Sequence, residues 1–151
     1  MSDGGVLRRD LSEHESRICD SAVTYGGFVL KLVNTGHVDL CGAGEASYGI
    51  AAKSTREWVP AVATGGAWTA TASRPVEIQR VGEALVQVLA TNQVIAIGDP
   101  LTTTAGGTVD LGTWSVPPTI AELRAHVGLA LEAKGLNAGG VVKALLWIMW
   151  M

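Results

Sequence analysis

Charge is scarce in this sequence. Only 17% of its residues are Asp, Glu, Lys or Arg, against about a quarter in an ordinary soluble domain. Its cations gather nowhere except in the short pair Arg8 and Arg9. A nucleic-acid binder needs a basic stripe to replace the counterions around phosphates. With a net charge of −3 and a pI near 5.5, this chain is expected to have no direct nucleic-acid partner. Cysteine is scarce too: Cys19 and Cys41 have no metal-like spacing and no His or Cys beside them. Both are expected as free thiols, although spacing alone does not fix connectivity. Long apolar runs are missing. Residues 1–20 carry Asp3, Arg8, Arg9, Asp10, Glu13 and Glu15, so no secretion-signal core is visible there. The C-terminal run 145–151 falls well short of the roughly 20 residues that cross a bilayer. It reads as a buried last strand, and no membrane partner is expected.

Catalytic vocabulary is thin as well. The only imidazoles are His14, His37 and His126, and each has a plain reading. His14 lies in the polar N-terminal segment, His37 follows the turn-like Asn34-Thr35-Gly36, and His126 ends a predicted helix, where a cation suits the dipole. No G-x-S-x-G elbow occurs, because Gly44-Glu45-Ala46-Ser47-Tyr48-Gly49 places the serine wrongly; Ser47 reads as a turn residue. Gly42-Ala43-Gly44-Glu45-Ala46-Ser47 begins like a dinucleotide fingerprint but lacks its third glycine and precedes a strand, not the helix that would hold pyrophosphate. Asp39, Asp99 and Asp110 stand isolated among apolar residues, without calcium-loop spacing. The expectation is therefore a non-enzymatic protein with no catalytic, cofactor or metal site. An enzyme would require His37 or His126 to converge with Ser47, Asp39 or Asp110 in one cleft.

What the chain does have is apolar residues and glycine. Hydrophobic residues are 48% of 151 and the mean hydropathy is +0.29, a balance that points to apolar surface ending in subunit contacts. The length suits one domain, burying roughly 70% of the unfolded chain's surface. Nineteen glycines separate short β-branched segments, the pattern of many strands joined by turns. Strands are predicted at 28–33, 38–41, 48–53, 76–81, 85–90, 94–97, 101–104, 127–132 and 141–149. Val76 and Ile78 should face in and Gln87 out, with a turn or bulge at Gly82-Glu83. Thr64-Gly65-Gly66, Gly98-Asp99-Pro100, Ala105-Gly106-Gly107 and Asn137-Ala138-Gly139-Gly140 supply turn chemistry. One helix is predicted after Pro117-Pro118, where Thr119 and Glu122 have capping-box spacing and Ile120 and Leu123 form a short apolar stripe.

A weak internal echo suggests two related β-units. Val38-Asp39-Leu40 precedes Tyr48-Gly49-Ile50-Ala51, and Val109-Asp110-Leu111 precedes Val127-Gly128-Leu129-Ala130. In each second strand the small residues share a face that would let another layer approach closely.

Five tryptophans against one phenylalanine is an uncommon choice. Trp is favoured where a large apolar face meets a partner while its N–H stays bonded. Trp58, Trp68, Trp114 and Trp150 are the candidate partner contacts, with Arg8, Arg9 and Leu11 of the N-terminal segment; Trp147 is expected in the core.

The run Tyr48-Gly49-Ile50-Ala51-Ala52, the segment Val94-Ile95-Ala96-Ile97-Gly98-Asp99-Pro100-Leu101, the stretch Gly106-Gly107-Thr108-Val109 and Val127-Gly128-Leu129-Ala130-Leu131-Glu132-Ala133 resemble, in that order, the capsid decoration (cement) proteins of tailed viruses. These include lambda-like head decoration proteins and a related phage cement family. The resemblance implies an all-β fold, a compact β-barrel or β-tulip with one short helix. It also implies an extended N-terminal arm at 1–27, ordered on binding, before a decoration domain at 28–151. By the same resemblance the protein would be a homotrimer on the major capsid protein, at the outer surface of the virion, stabilising the head. A tail-tube, baseplate or fibre-attachment component is the alternative. Two features depart from the family pattern: a longer N-terminal segment and additional residues at 117–126.

Overall fold

The structure is a computed structural model that describes residues 14–52, 56–59, 67–70, 72–89, 91 and 93–148, with the backbone alone for His14, 56–59 and 67–70. The strands are β1 (His14–Cys19), β2 (Val29–Asn34), β3 (His37–Leu40), β4 (Gly49–Ala51), β5 (Arg56–Val59), β6 (Ala67–Ala70), β7 (Arg74–Gln79), β8 (Val81–Val88), β9 (Pro100–Thr103), β10 (Val109–Leu111), β11 (His126–Ala130) and β12 (Gly140–Trp147). Among the described residues an α-helix, α1 (Ile120–Ala125), precedes β11, and a single 3-10 turn lies at Ala105–Gly107. The fold is all-β, as expected.

Five strands close a barrel in the order β1-β3-β2-β4-β7. Closure comes from β1, which runs parallel to β3 and antiparallel to β7, from His14 opposite Gln79 to Cys19 opposite Arg74. Five more form a second sheet, β10-β9-β11-β12-β8, whose edge strands β10 and β8 approach each other. The period of two along a strand gives each unit its own core. Leu30, Val38, Tyr48, Ala51, Val76 and Ile78 fill the barrel with Cys19 and Val23. Val86, Val88, Leu101, Val127, Val142, Ala144 and Leu146 fill the second core. The barrel wall is shared: Val29 and Ile50 face the second core, while their chain neighbours Leu30 and Ala51 face the barrel. Both cysteines are free and buried, one in each core.

The chain changes sheets at Arg80, between β7 and β8. The side-chain amide of Gln79 donates there to the carbonyls of Val81 (2.9 Å) and Glu83 (3.0 Å). Further along β8, the Gln87 N–H donates to the Gly27 carbonyl (2.9 Å). Gly27 has φ +97°, and a Cβ on it would lie 2.5 Å from the Leu85 carbonyl oxygen, so only glycine fits this seam. The expected irregularity at Gly82-Glu83 is a positive φ at Gly82 inside an unbroken β8–β12 register.

Several expectations need correction. Residues 14–19, assigned with 1–27 to an arm, are a stave of the barrel; residues 1–13 lie outside the described residues. Residues 94–97 are a loop anchored by one bridge, Ile95 to Lys134, because only Ile95 is buried while Val94 and Ile97 face solvent. The α1 capping box is present, with Glu122 N–H donating to Thr119 Oγ1 and Thr119 N–H to Glu122. However, Ile120 is exposed, and the helix packs through Leu123 and Ala125. Trp147, expected in the core, is 66% exposed, since Val142, Ala144, Leu146 and Ile148 hold the inward parity of this segment.

The echoed strings fall one in each sheet. Asp39 in β3 and Asp110 in β10 both accept a hydrogen bond from the next residue's N–H at 2.8 Å. The small face of β4 permits a close approach: a Cβ on Gly49 would lie 2.2 Å from Ile78 Cγ2.

Candidate interaction surface

An antiparallel sheet with one face on a core normally turns a polar face to water. The outer face of the second sheet is divided. Over β9, α1 is seated: Thr102 Oγ1 donates to the Ala125 carbonyl (3.4 Å). Nearby, Trp114 meets the His126 ring edge-on with centroids 5.2 Å apart. Over β11, β12 and β8, no described residue covers the face. There Leu129 stands opposite Leu145, Leu145 opposite Glu83, Lys143 opposite Leu85 and Trp147 opposite Val81. Leu85, Leu129, Leu145 and Trp147 are all exposed. Lys143 and Glu83 supply the charge, paired at 3.4 Å. Beside them Val81, Gly82, Leu145, Leu146, Trp147 and Ile148 line a groove of about 380 Å³. Beyond the sheet, the loops on either side of the Ile95–Lys134 bridge carry exposed Leu89, Val94, Ile97 and Leu136.

Of the contacts read from the sequence, Arg8, Arg9, Leu11 and Trp150 lie outside the described residues. Trp58 and Trp68 hold directly opposed positions in the β5–β6 hairpin. Trp114 is half-buried against His126. The bare face does not follow from the sequence reading, which places Leu145 and Trp147 with their core neighbours in a buried last strand. The signal lies in β12, which is apolar at both parities except for Lys143, the mark of a strand covered on both sides.

The residues an enzyme would have to bring together are otherwise engaged. Ser47 is fully buried and donates to the carbonyls of Arg124 (3.1 Å) and His126 (2.9 Å), tying the barrel to the second sheet. His37 pairs with Asp20 at 2.6 Å, and Ser21 with Asp39. Burial holds the His126 imidazole below its usual pKa. Burial also pushes the Cys41 thiol up to about 11, away from thiolate reactivity. Among the described residues, no three His, Cys, Asp or Glu side chains cluster as a metal would need.

At the barrel's edge the guanidinium groups of Arg17 and Arg80 lie 5.1 and 4.8 Å from the Tyr48 ring centroid. Arg17 also donates to the Tyr48 hydroxyl (3.0 Å). Lys31 and Glu45 pair at 2.9 Å. The Gly42 N–H and Lys31 hold the Glu45 carboxyl below its usual pKa.

No protein-family model matches the chain, and no curated protein does. Among solved structures, the chain is similar to the crystal structure of the head fiber gp8.5 N base of bacteriophage phi29. The two share 18% identity and a TM-score of 0.50, over 89% of this chain and 93% of that chain. At that identity the likeness is one of fold.

Proposed function

We propose that this protein is a structural part of a tailed-virus head, a decoration protein that binds the outer capsid surface as a symmetric oligomer and stabilises it without catalysing a reaction. The observation that carries the proposal is the fold shared, along nearly the whole of both chains, with a phage head component. The bare apolar face of β8, β12 and β11 supports it, since a surface of this kind marks a protein contact. The homotrimer and the major capsid protein as partner follow from the sequence resemblance. On a closed lattice each oligomer would touch several subunits, and modest contacts would multiply through effective concentration. The residues before β1 act as the arm, adding a strand to a neighbour's exposed edge.

Purified protein should rebind expanded heads that lack it and raise their resistance to heat or pressure. Failure to rebind at micromolar concentration would remove the decoration reading. Deleting residues 1–13 should weaken rebinding; full rebinding by that variant would dismiss the arm. A second reading, a fibre-attachment part, is favoured by the same neighbour, whose description is of a head fiber base. Negative-stain images separate the two: density spread over the head faces supports decoration, and isolated stalk bases support attachment.

A further inference from the structure

We infer that the cleft between β9, α1 and residues 112–114 is a binding site for a neutral sugar ring. The inference goes beyond the shell reading and does not depend on it.

The cleft lies on the part of the second sheet that α1 borders. Thr102 of β9, Gly44, residues 112–114 and Glu122 line it, around a space of about 360 Å³. That is within the about 300–1,000 Å³ of pockets that enclose small ligands.

Charge decides the class of occupant. No Lys, Arg or His lines the cleft, and Glu122 is its only carboxylate. The Ser115 N–H and hydroxyl and the Thr119 N–H all donate to that carboxylate. Those bonds hold it below its usual pKa, so it is ionised at neutral pH. A phosphate or carboxylate would meet this negative charge with no cation to answer it. A cation would find the Glu122 oxygens already engaged. The occupant is therefore uncharged.

Trp114 narrows the class further. It is half-buried, and its indole N–H has no acceptor among the described residues. A Cβ on Gly112 would lie 2.9 Å from Nε1, so the N–H sits at the cleft wall over a residue with no side chain. An indole N–H in partly buried surroundings usually has an acceptor, and it can only donate. A bound ligand supplies that acceptor. The Thr102 hydroxyl, already donating to the Ala125 carbonyl at 3.4 Å, keeps its lone pairs for a ligand O–H, and the exposed Thr113 adds a second hydroxyl. A sugar ring matches this set. Its C–H face packs on the indole, and hydroxyls around its rim both accept and donate. A peptide offers one donor and one acceptor per residue, a poorer match in so small a space.

The full chain, isotope-labelled at its tryptophan nitrogens, tests this by nuclear magnetic resonance. Its five tryptophans give indole N–H signals that single Trp→Phe replacements assign. Methyl glucoside, methyl galactoside and N-acetylglucosamine are titrated in turn. At least one should move the Trp114 signal along a saturating curve with a dissociation constant of about 1–10 mM, as suits a single-ring ligand. Trp147, 66% exposed on the bare face, should stay still. Gly112→Ala, whose methyl would displace the indole, should weaken binding about tenfold, and Thr113→Val, at an exposed position, about fivefold. Circular dichroism matching the wild type shows that either loss is one of contact and not of folding. A Trp114 signal that no sugar moves, a Trp147 signal that moves in step with it, affinity unchanged in both variants, or a response to triproline and to no sugar would each overturn the proposal.

Discussion

The barrel and the second sheet are built from the same number of strands, yet they meet solvent differently. The barrel closes on itself and dresses its exterior with charge: Lys31 with Glu45, His37 with Asp20, and Arg17 and Arg80 over Tyr48. The second sheet curls without closing. It covers one part of its outer face with α1 and leaves Leu85, Leu129, Leu145 and Trp147 exposed, with a single ion pair among them. The barrel closes its own circuit of strands, while the described residues leave part of the sheet's outer face uncovered. Stability should therefore concentrate in the two cores and the seam between them, and association on the bare face.

Mutations test this contrast. The largest loss is expected in the barrel: Ile78→Ala removes a fully buried side chain and should cost about 2–5 kcal/mol, read as a lower denaturant midpoint. Ser47→Ala should cost about 1–3 kcal/mol, because it strips a buried donor from the Arg124 and His126 carbonyls. If Ser47→Ala instead splits one unfolding transition into two, the seam is what couples barrel and sheet.

A pH effect should follow on the sheet side. Folding lowers the His126 pKa below its ordinary 6.5, so below that pH the unfolded chain takes up a proton that the folded chain refuses. Stability contributed by the neutral ring is fully present above 6.5 and declines as pH falls from there toward the folded value. Thermal melts from pH 8 to pH 5 should show that decline in the wild type and a shallower one in His126→Asn; parallel curves would remove the ring as the cause. The smallest stability effect is expected at Leu145→Ala, within about 0.5 kcal/mol for a surface position. A loss there as large as at Ile78 would mean that the outer face is a core already covered within one chain.

Much of the fold was legible in the chain. Strands β2, β3, β4, β7, β8, β9, β11 and β12 announced themselves by apolar alternation between glycine turns, and α1 by Thr119 and Glu122. The misses have specific causes. β1 reads His-Glu-Ser-Arg-Ile-Cys, with Cys19 its contribution to the barrel core, so its place depends on partners distant in sequence. β10 is a strand of three residues, too short to show a period. Residues 94–97 have strand composition, but one buried side chain among four does not hold a strand. The surface was less legible than the fold. Trp was the right residue type to watch, but parity within β12 decides which residues face out, and parity is set by the core.

Gln79 carries a consequence of its own. An uncapped strand margin is a template, and molecules held shoulder to shoulder at high local concentration would be the first to extend one into a fibre. By occupying the outward carbonyls of Val81 and Glu83, one amide blunts the margin of β8 against such extension. The greasy flank beside it can therefore stay exposed without a bare strand margin next to it.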